Sequence, residues 1–252
     1  MASKSAKPNR AAWIKGGEVH CDIAPSLPAR PRRIVLLGAP GVGKRTQSEL
    51  LASRLGTCHL ATSEVFHDAR KCSECERTPA MIFALEHLRT GELVPDEIIL
   101  NLIVERSRCL RCKGGFVLDG FPRTVPQAEA LDKLLVGEDL RLDAAVNYEL
   151  PADVVITRLH GRRVCPACNT LFHLGVHPPK KKSVCDHCGT RLMPREDDQP
   201  ESIRERIKKY QEGAAPLLRF YRQKEILLSV KAEGTPEEVF ERTLAALQKL
   251  QT

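Results

Sequence analysis

The chain of 252 residues is 42% hydrophobic and 28% charged, an ordinary composition for one large globular domain or one domain with insertions. This composition excludes a wholly disordered, collagen-like or coiled-coil chain, and no apolar run approaches the roughly 18–20 residues that span a bilayer. The net charge of +7 is concentrated in residues 1–33 and 161–196, each of which holds seven Lys/Arg against two Asp/Glu. We therefore expect no membrane partner, and the charge does not require a nucleic-acid partner.

Residues 1–31 are predicted to be a flexible N-terminal extension, because they combine four prolines with scattered basic side chains. They contain no apolar stretch of the kind found in a signal peptide, which favours a cytoplasmic location. The first ordered element is the apolar run Ile34–Leu37, typical of a buried parallel strand. A glycine-rich turn follows, and then Thr46–Leu55 has helical spacing and stops at Gly56, a good C-terminal cap.

The rest of the chain alternates between strand and helix patterns. Short apolar runs predict three further strands, at Phe116–Asp119, Ala144–Leu150 and Ile226–Val230. Helical spacing predicts helices at Asp96–Arg108, Gln127–Leu135, Glu201–Tyr210 and Pro236–Leu250. The last helix is predicted to begin with Thr235 as its N-terminal cap and Pro236 at its first position. Such an alternation indicates an α/β fold, with a parallel sheet flanked by helices.

The turn after the first strand contains a phosphate-loop motif. Because it links a strand to a helix, its glycines can turn backbone N–H groups toward one anion, and the helix dipole adds positive potential. Lys44 can reach the outer phosphates of a nucleotide, while the hydroxyl that usually follows this lysine directly stands one position later, at Thr46. The predicted ATP-binding residues of the loop are Gly38, Ala39, Pro40, Gly41, Val42, Gly43, Lys44, Arg45 and Thr46.

From Ile34 to Leu250 the chain resembles the adenylate kinase family of nucleoside monophosphate kinases. The resemblance rests on the loop and on five further motifs, Gly91–Glu97, Asp119–Thr124 followed by Gln127, Arg158–Arg163, Arg195–Asp198 and Arg206. It implies a P-loop NTPase-type sheet and three parts besides the extension. These are a core (residues 32–60, 92–160 and 197–252), a helical insertion that binds the nucleoside monophosphate (61–91) and a lid (161–196).

The resemblance implies reversible phosphoryl transfer, ATP + AMP = 2 ADP, with Mg²⁺ bound to ATP and with the chain acting as a monomer. Such a transfer needs in-line positioning and charge neutralisation more than covalent help. Asp119, at the end of a predicted strand, can hold Mg²⁺ through water, and arginines offer two-pronged contacts to phosphate. The predicted catalytic residues are Lys44, Asp119, Arg123, Arg162, Arg195 and Arg206, and Arg158 and Arg162 are added to the ATP site.

The acceptor side carries the clearest departure from the family pattern. The resemblance assigns AMP binding to Thr62, His67, Val94, Gly120, Arg123, Gln127, Arg195 and Arg206, with Gln127 reading the adenine. The family segment Thr-Gly-Asp-x-x-Arg, whose arginine clasps the AMP phosphate, is replaced by Thr-Ser-Glu-Val-Phe-His from Thr62 to His67. A mostly neutral imidazole offers fewer donors than a guanidinium, so a high KM for AMP is expected unless Arg70 takes this place.

Two other functions stay open on the sequence. The first is a kinase for another nucleoside monophosphate. The second is a nucleotide-sensing or nucleic-acid-binding zinc-ribbon protein on the same scaffold, favoured by the basic lid, by the basic N-terminal extension and by the departures at Arg45, Ser63 and His67. At the position of Arg45 the family usually has glycine. Against the second function, no aromatic residues alternate with the basic ones, as single-strand binding would favour.

Eight of the ten cysteines form four Cys-x-x-Cys pairs, which indicates metal or redox chemistry rather than a secreted disulfide framework. The pairs in the lid fit a four-cysteine Zn²⁺ site, whose ligands would be Cys165, Cys168, Cys185 and Cys188. The lid is short and poor in core-forming residues, so the metal would supply its folding energy. Some lids of the family carry such a site.

The two remaining cysteine pairs are not part of the family pattern. They are predicted to form a second metal site, a disulfide or two unrelated thiol pairs, and their members are Cys72, Cys75, Cys109 and Cys112. Cys58 and Cys21 are expected to be inert.

Overall fold

The computed structural model describes residues 13–14, 31–69, 78–90, 94–168, 170–175, 178–194, 198 and 200–250. Of residues 67, 68, 88–90 and 200 it describes the backbone only. Arg70, Cys72, Cys75 and Arg195, which the sequence singled out, lie outside the described residues, as does the side chain of His67.

A parallel sheet of five strands forms the centre of the molecule, which confirms the predicted α/β class. In chain order its strands are β1 (Arg32–Gly38), β2 (Cys58–Ala61), β3 (Gly115–Asp119), β4 (Ala144–Glu149) and β7 (Leu227–Lys231). Their order across the sheet is β2-β3-β1-β4-β7. β1 is central and buried on both faces, which explains why its sequence is a continuous apolar run. β2 was not predicted, because it has four residues and no apolar run longer than two.

Eight α-helices lie among the described residues: α1 (Lys44–Leu55), α2 (Thr62–Ala69), α3 (Pro79–Thr90), α4 (Asp96–Val104), α5 (Val125–Gly137), α6 (Ala152–His160), α7 (Pro200–Gln223) and α8 (Pro236–Lys249). A 3₁₀ helix covers Ser107–Arg111, and the lid contributes an antiparallel hairpin of β5 (Arg162–Val164) and β6 (Leu171–His173). Within this part of the chain no helix has both the length and the apolar character needed to cross a membrane.

Two predicted helices differ from the observed ones. The helix predicted to reach Arg108 stops at Val104, where the backbone N–H of Arg106 donates to the Ile103 carbonyl (3.0 Å) instead of the Leu102 carbonyl of a continuing α-helix. The Leu102 carbonyl accepts from the guanidinium of Arg106 (3.0 Å). The helix predicted to end at Tyr210 continues to Gln223 through Pro216. The burial of Leu217 and Tyr221 in the core offsets the hydrogen bond that this proline removes.

Alternate residues of β1 pack into two separate apolar clusters, one on each face of the sheet. Val35 and Leu37 face the cluster that includes residues of α2, α3, α4 and α5. Ile34 and Leu36 face the cluster that includes residues of α1, α6 and α8. The phosphate loop and helices α2 to α5 are therefore supported by different parts of the core.

Trp13 lies within residues 1–31, the segment that the sequence predicts to be a flexible extension. Its side chain is fully buried in the cluster that faces α2 to α5. The indole Nε1–H donates to the carbonyl of Ala61 (2.9 Å), and the Trp13 carbonyl accepts from Nε of Arg106 (2.7 Å). A tryptophan within a polar, proline-rich segment is the sequence signal that could have indicated such an anchor.

Cys58 forms a disulfide with Cys112, so the prediction that Cys58 is inert is wrong. The pairing follows from the register of the sheet: Cys58 lies opposite Phe116 of β3, and Cys112 precedes that strand by a short turn. It also corrects the second metal site predicted from two cysteine pairs, because the sulfur of Cys112 is not available as a thiolate ligand. Cys109 is buried and is not part of this disulfide.

Reducing the Cys58–Cys112 bond should lower the free energy of unfolding by about 4 kcal/mol, because the disulfide closes a long loop in the unfolded chain. Its partners are 54 residues apart in sequence. Urea unfolding with and without a phosphine reductant measures the difference. The variant with both Cys58→Ala and Cys112→Ala is the control and should not respond to reductant. An equal response from both proteins would show that another reducible group carries the effect.

Candidate active site

The phosphate loop lies between the carboxyl end of β1 and the start of α1. Gly38, Gly41 and Gly43 have φ values of 133°, 88° and 101°, a left-handed conformation that other residues rarely adopt. A side chain at Gly38 would also collide with the Tyr148 carbonyl, 2.7 Å from the Cβ position. No side chain caps the N-terminus of α1, so its first backbone N–H groups remain available for an anion.

Lys44 folds back across the loop. Its Nζ donates to the carbonyls of Gly38 (2.6 Å) and Ala39 (3.0 Å), which holds the ammonium group over the centre of the loop. Burial lowers the pKa of Lys44 to about 8; Asp119 opposes this shift, and Arg123, Arg206 and Arg162 add to it. A phosphate bound in the loop would stabilise the charged ammonium group and so raise the pKa of Lys44 toward its ordinary value.

Asp119 ends β3 and lies beside Lys44 at the carboxyl edge of the sheet. Its register partners are Leu36 of β1 and Ala61 of β2, so it lies between the strand that leads into the phosphate loop and the strand that leads into Thr62. Burial raises the pKa of Asp119, while Lys44 and Arg123 oppose the shift. A nearly buried carboxylate at the mouth of a phosphate loop fits a water-mediated Mg²⁺ site, because Mg²⁺ keeps several of its waters.

The predicted arginines approach the loop from the lid and α7. Arg162 makes a two-pronged contact with Asp198, with its Nε 2.6 Å and its second nitrogen 2.5 Å from the carboxylate oxygens. Arg206 contacts the same carboxylate at 3.5 Å. Asp198 is nearly buried and positions both guanidiniums, a role that the sequence analysis did not assign although it lies in a recognised motif. Arg158 donates to the Ala232 carbonyl (3.0 Å).

Thr62 and Gly120, both predicted to bind AMP, lie next to each other beside Asp119. The Thr62 hydroxyl lies 3.5 Å from the Asp119 carbonyl, and a Cβ at Gly120 would lie 2.6 Å from that hydroxyl. Arg123 donates through Nε to the Gly120 carbonyl (2.9 Å). Val94, half-buried, precedes α4. The structure therefore brings the predicted Thr62, Gly120 and Arg123 together beside Asp119.

Gln127 is buried, and both ends of its amide are engaged by the protein. Its Oε1 accepts from the backbone N–H of Arg123 (2.7 Å), and its Nε2 donates to Asp96 (2.7 Å). Asp96 also accepts from the Thr124 hydroxyl (2.6 Å). One N–H and one oxygen lone pair of the amide are not used by these bonds and could still bind an adenine. Recognition of the adenine by Gln127 stays a prediction. Asp96, which orients this amide, was missed by the sequence analysis.

Two of the departures from the family pattern contact each other. Arg45, at the start of α1, reaches Glu64 in the first turn of α2 with a nitrogen–oxygen distance of 3.2 Å, and it also contacts Glu49 at 3.4 Å. A glycine at position 45 could not make either contact. Arg45, predicted to bind ATP, therefore extends toward α2, the helix that begins at the predicted AMP-binding residue Thr62.

The four lid cysteines converge on one point. Their sulfur atoms all lie within 4.8 Å of one another, and three of the separations are 3.3, 3.5 and 3.6 Å. Four sulfurs at about 2.3 Å from one Zn²⁺ would be about 3.8 Å apart in a tetrahedron, so the set fits that ion. Hydrogen bonds from Thr170 lower the pKa of Cys168 to about 6, whereas burial raises that of Cys185 to about 11. Besides cysteine, the lid core contains only Phe172 and Leu192 among the described residues.

A glycine loop that joins a central parallel strand to a helix, with Lys44 held across it, places this protein in the class of P-loop nucleotide-binding proteins. The family model for adenylate kinase matches residues 36–226. The chain belongs to the adenylate kinase family.

Curated relatives agree with this family over most of their length. The chain is similar to an adenylate kinase from Carboxydothermus hydrogenoformans, 42% identical over 217 residues that cover 86% of this chain and 100% of that protein. An adenylate kinase from Clostridium perfringens is 41% identical over 211 residues, covering 84% of this chain and 95% of the relative. One from Caldicellulosiruptor saccharolyticus is 39% identical over 218 residues, with coverages of 86% and 98%.

Proposed function

We propose that this protein catalyses ATP + AMP = 2 ADP with Mg²⁺-bound ATP, and that its lid holds a structural Zn²⁺. The observation that carries the proposal is the position of Lys44: its ammonium group lies over the phosphate loop and beside Asp119. Relatives that are 42% and 41% identical to this chain, over 86% and 84% of its length, are adenylate kinases. A cytoplasmic location and a monomeric state stay predictions from the sequence.

The residues act mainly by placing and neutralising charge. Lys44 and the N–H groups of the loop hold the outer phosphates of the donor, and Asp119 would hold Mg²⁺ through water. Bound Mg²⁺ neutralises phosphate charge as it builds up during transfer. Arg123, Arg162 and Arg206 surround the transferred group, and their guanidiniums match the oxygens of a phosphoryl group. No general base is required, because the acceptor phosphate is already ionised.

The bound nucleotides would displace contacts that the arginines make in the free protein. Arg162 and Arg206 share Asp198, so one carboxylate holds two cations ready on the lid side. A phosphate that enters the site offers each guanidinium a stronger partner. Until the phosphate arrives, Asp198 keeps the two arginines oriented, which supports in-line geometry. Arg195 is assigned to the same group by its motif.

A coupled assay of ADP formation tests the proposal. Purified protein with ATP and Mg²⁺ should convert AMP to ADP, with UMP, CMP and GMP as competing acceptors. Higher kcat/KM for another monophosphate would support the alternative substrate. If no acceptor gives ADP, the enzyme proposal fails, and binding of labelled ATP then tests the nucleotide-sensing alternative.

The replacement of the family's phosphate-binding arginine by His67 predicts weak binding of AMP. We expect His67→Arg to lower the KM for AMP by about one to two orders of magnitude with little change in kcat, because a charge-assisted phosphate contact is worth about 1.5–3 kcal/mol. The KM of the unmodified protein should also fall as the pH drops toward 6 and the imidazole gains its proton. Initial rates at saturating ATP, measured between pH 6 and 8, give both values.

Two further variants separate the candidates for the phosphate contact. Arg70→Ala removes the guanidinium that the sequence offers as a substitute, and Arg45→Gly removes the one that contacts Glu64. If His67→Arg leaves the KM for AMP unchanged while one of these raises it sharply, that arginine holds the phosphate. The assignment of His67 is then wrong.

A further inference from the structure

Trp13 and Arg106 link the N-terminal segment to both sides of the acceptor insertion. We propose that these two residues form a brace that positions the acceptor half of the site, so that the N-terminal segment is a working part of the enzyme. Trp13 and Arg106 are positioning residues in this proposal, because neither reaches the reacting phosphates. The proposal rests on the proposed function, since it assigns the acceptor nucleotide to the neighbourhood of Thr62.

The first arm of the brace is the contact between Trp13 and Ala61, the residue before Thr62. The indole Nε1–H donates to the carbonyl of Ala61, the last residue of β2 and the neighbour of Thr62. Thr62 in turn lies against Asp119 and Gly120. A shift of Trp13 would therefore displace the end of β2 and, with it, Thr62 and its contacts with Asp119 and Gly120.

The second arm depends on a buried cation. Arg106 is 1% exposed, and burial lowers the pKa of its guanidinium. It donates to the carbonyls of Trp13 (2.7 Å), Leu102 (3.0 Å) and Ile14 (3.4 Å), and it pairs with Glu105 at 3.0 Å. Two of its three carbonyl partners belong to the N-terminal segment. Removal of that segment would leave a buried charge short of acceptors, which is strongly unfavourable.

Glu105 connects Arg106 to the helical insertion. Its carboxylate accepts from the Thr78 hydroxyl (2.6 Å), and that hydroxyl accepts from the backbone N–H of Met81 (3.4 Å) in the first turn of α3. The brace thus reaches the strand end before the insertion and a helix within it. Trp13 also shares its apolar cluster with Val65 of α2.

The brace lies on one face of the sheet only. The phosphate loop and α1 are supported by the cluster on the opposite face, to which Val42 and Leu51 belong. Loss of the brace should therefore weaken AMP binding more than ATP binding. A purely structural role would affect both nucleotides by similar factors.

The full chain with Trp13→Phe provides the main test. Phenylalanine keeps an aromatic ring in the core but removes the indole N–H that holds Ala61. We expect the dissociation constant for AMP, measured by calorimetry, to rise by about fivefold, the loss of one buried hydrogen bond. The constant for a non-hydrolysable ATP analogue should stay within about twofold, and KM for AMP should rise while kcat changes little.

Leu135→Ala is the matched control, because Leu135 lies on α5 in the same cluster and has no bond to Ala61 or Arg106 among the described contacts. It should lower the melting temperature without changing the ratio of AMP to ATP affinity. If Leu135→Ala and Trp13→Phe change that ratio equally, the brace is only structural and the proposal fails. Binding is measured without turnover, so an inactive protein that binds AMP still tests the brace.

The intrinsic fluorescence of the protein reports on the surroundings of Trp13, because this residue is the single tryptophan of the chain. Its emission should be blue-shifted and resistant to iodide quenching, and AMP should change the emission whereas the ATP analogue should not. An emission spectrum typical of solvent-exposed indole would overturn the proposal.

Discussion

Replacing Lys44 by methionine should lower kcat by about 10²–10³, the range found when one preorganised stabiliser of transition-state charge is removed. Methionine has a similar length but no charge, so the loss measures the ammonium group rather than the volume of the side chain. The Nζ of Lys44 already lies at the loop carbonyls, which means that little reorganisation precedes its contact with phosphate. Lys133→Met, on the exposed side of α5, is the control and should keep kcat within about twofold.

The pH profile gives a second measurement of the same group. Because burial lowers the pKa of Lys44 to about 8 in the free protein, its side chain is charged below that pH and neutral above it. The kcat/KM for ATP, which reports the free enzyme, should therefore fall as the pH rises through about 8. Lys44→Arg should remove this fall, since a guanidinium stays charged. A flat profile up to pH 10 for the unmodified protein would contradict the pKa assignment.

Losing the lid metal should be the largest effect on stability. Binding of structural Zn²⁺ to small four-ligand domains is worth about 10–16 kcal/mol at neutral pH, and this energy is folding energy for the domain. The lid has few apolar residues to replace it. We expect one zinc per chain by elemental analysis, and Cys185→Ser should abolish it, lower the melting temperature and raise the KM for ATP.

The zinc prediction has a direct control within the chain. Cys21→Ser makes the same chemical change outside the four-cysteine cluster and should keep the metal and the melting temperature. A chelator should reproduce the effect of Cys185→Ser on the unmodified protein. Protein without zinc, whose lid cysteines all react with a thiol reagent, would contradict the metal site.

The sequence by itself was sufficient for the features that local patterns specify. The phosphate loop is a run of neighbouring residues whose glycines and lysine fix its conformation and chemistry, so its motif predicted both. Thr235 and Pro236 likewise predicted the start of α8, and the structure confirms a capping box there. The spacing of the lid cysteines is also a local pattern, because the two cysteines of each pair lie in one tight turn. This spacing predicted that the four sulfur atoms converge.

Tertiary structure alone decided the features that join residues far apart in the chain. β2 is too short to be recognised by its own sequence and exists because it pairs with β3. The same pairing brings Cys58 to Cys112. Arg45 and Glu64 became partners only when α1 and α2 were placed on the same edge of the sheet. Trp13 is buried because it fills a space that residues of several separate elements enclose, and no local pattern in a polar segment encodes a contact made about 50 to 90 residues away.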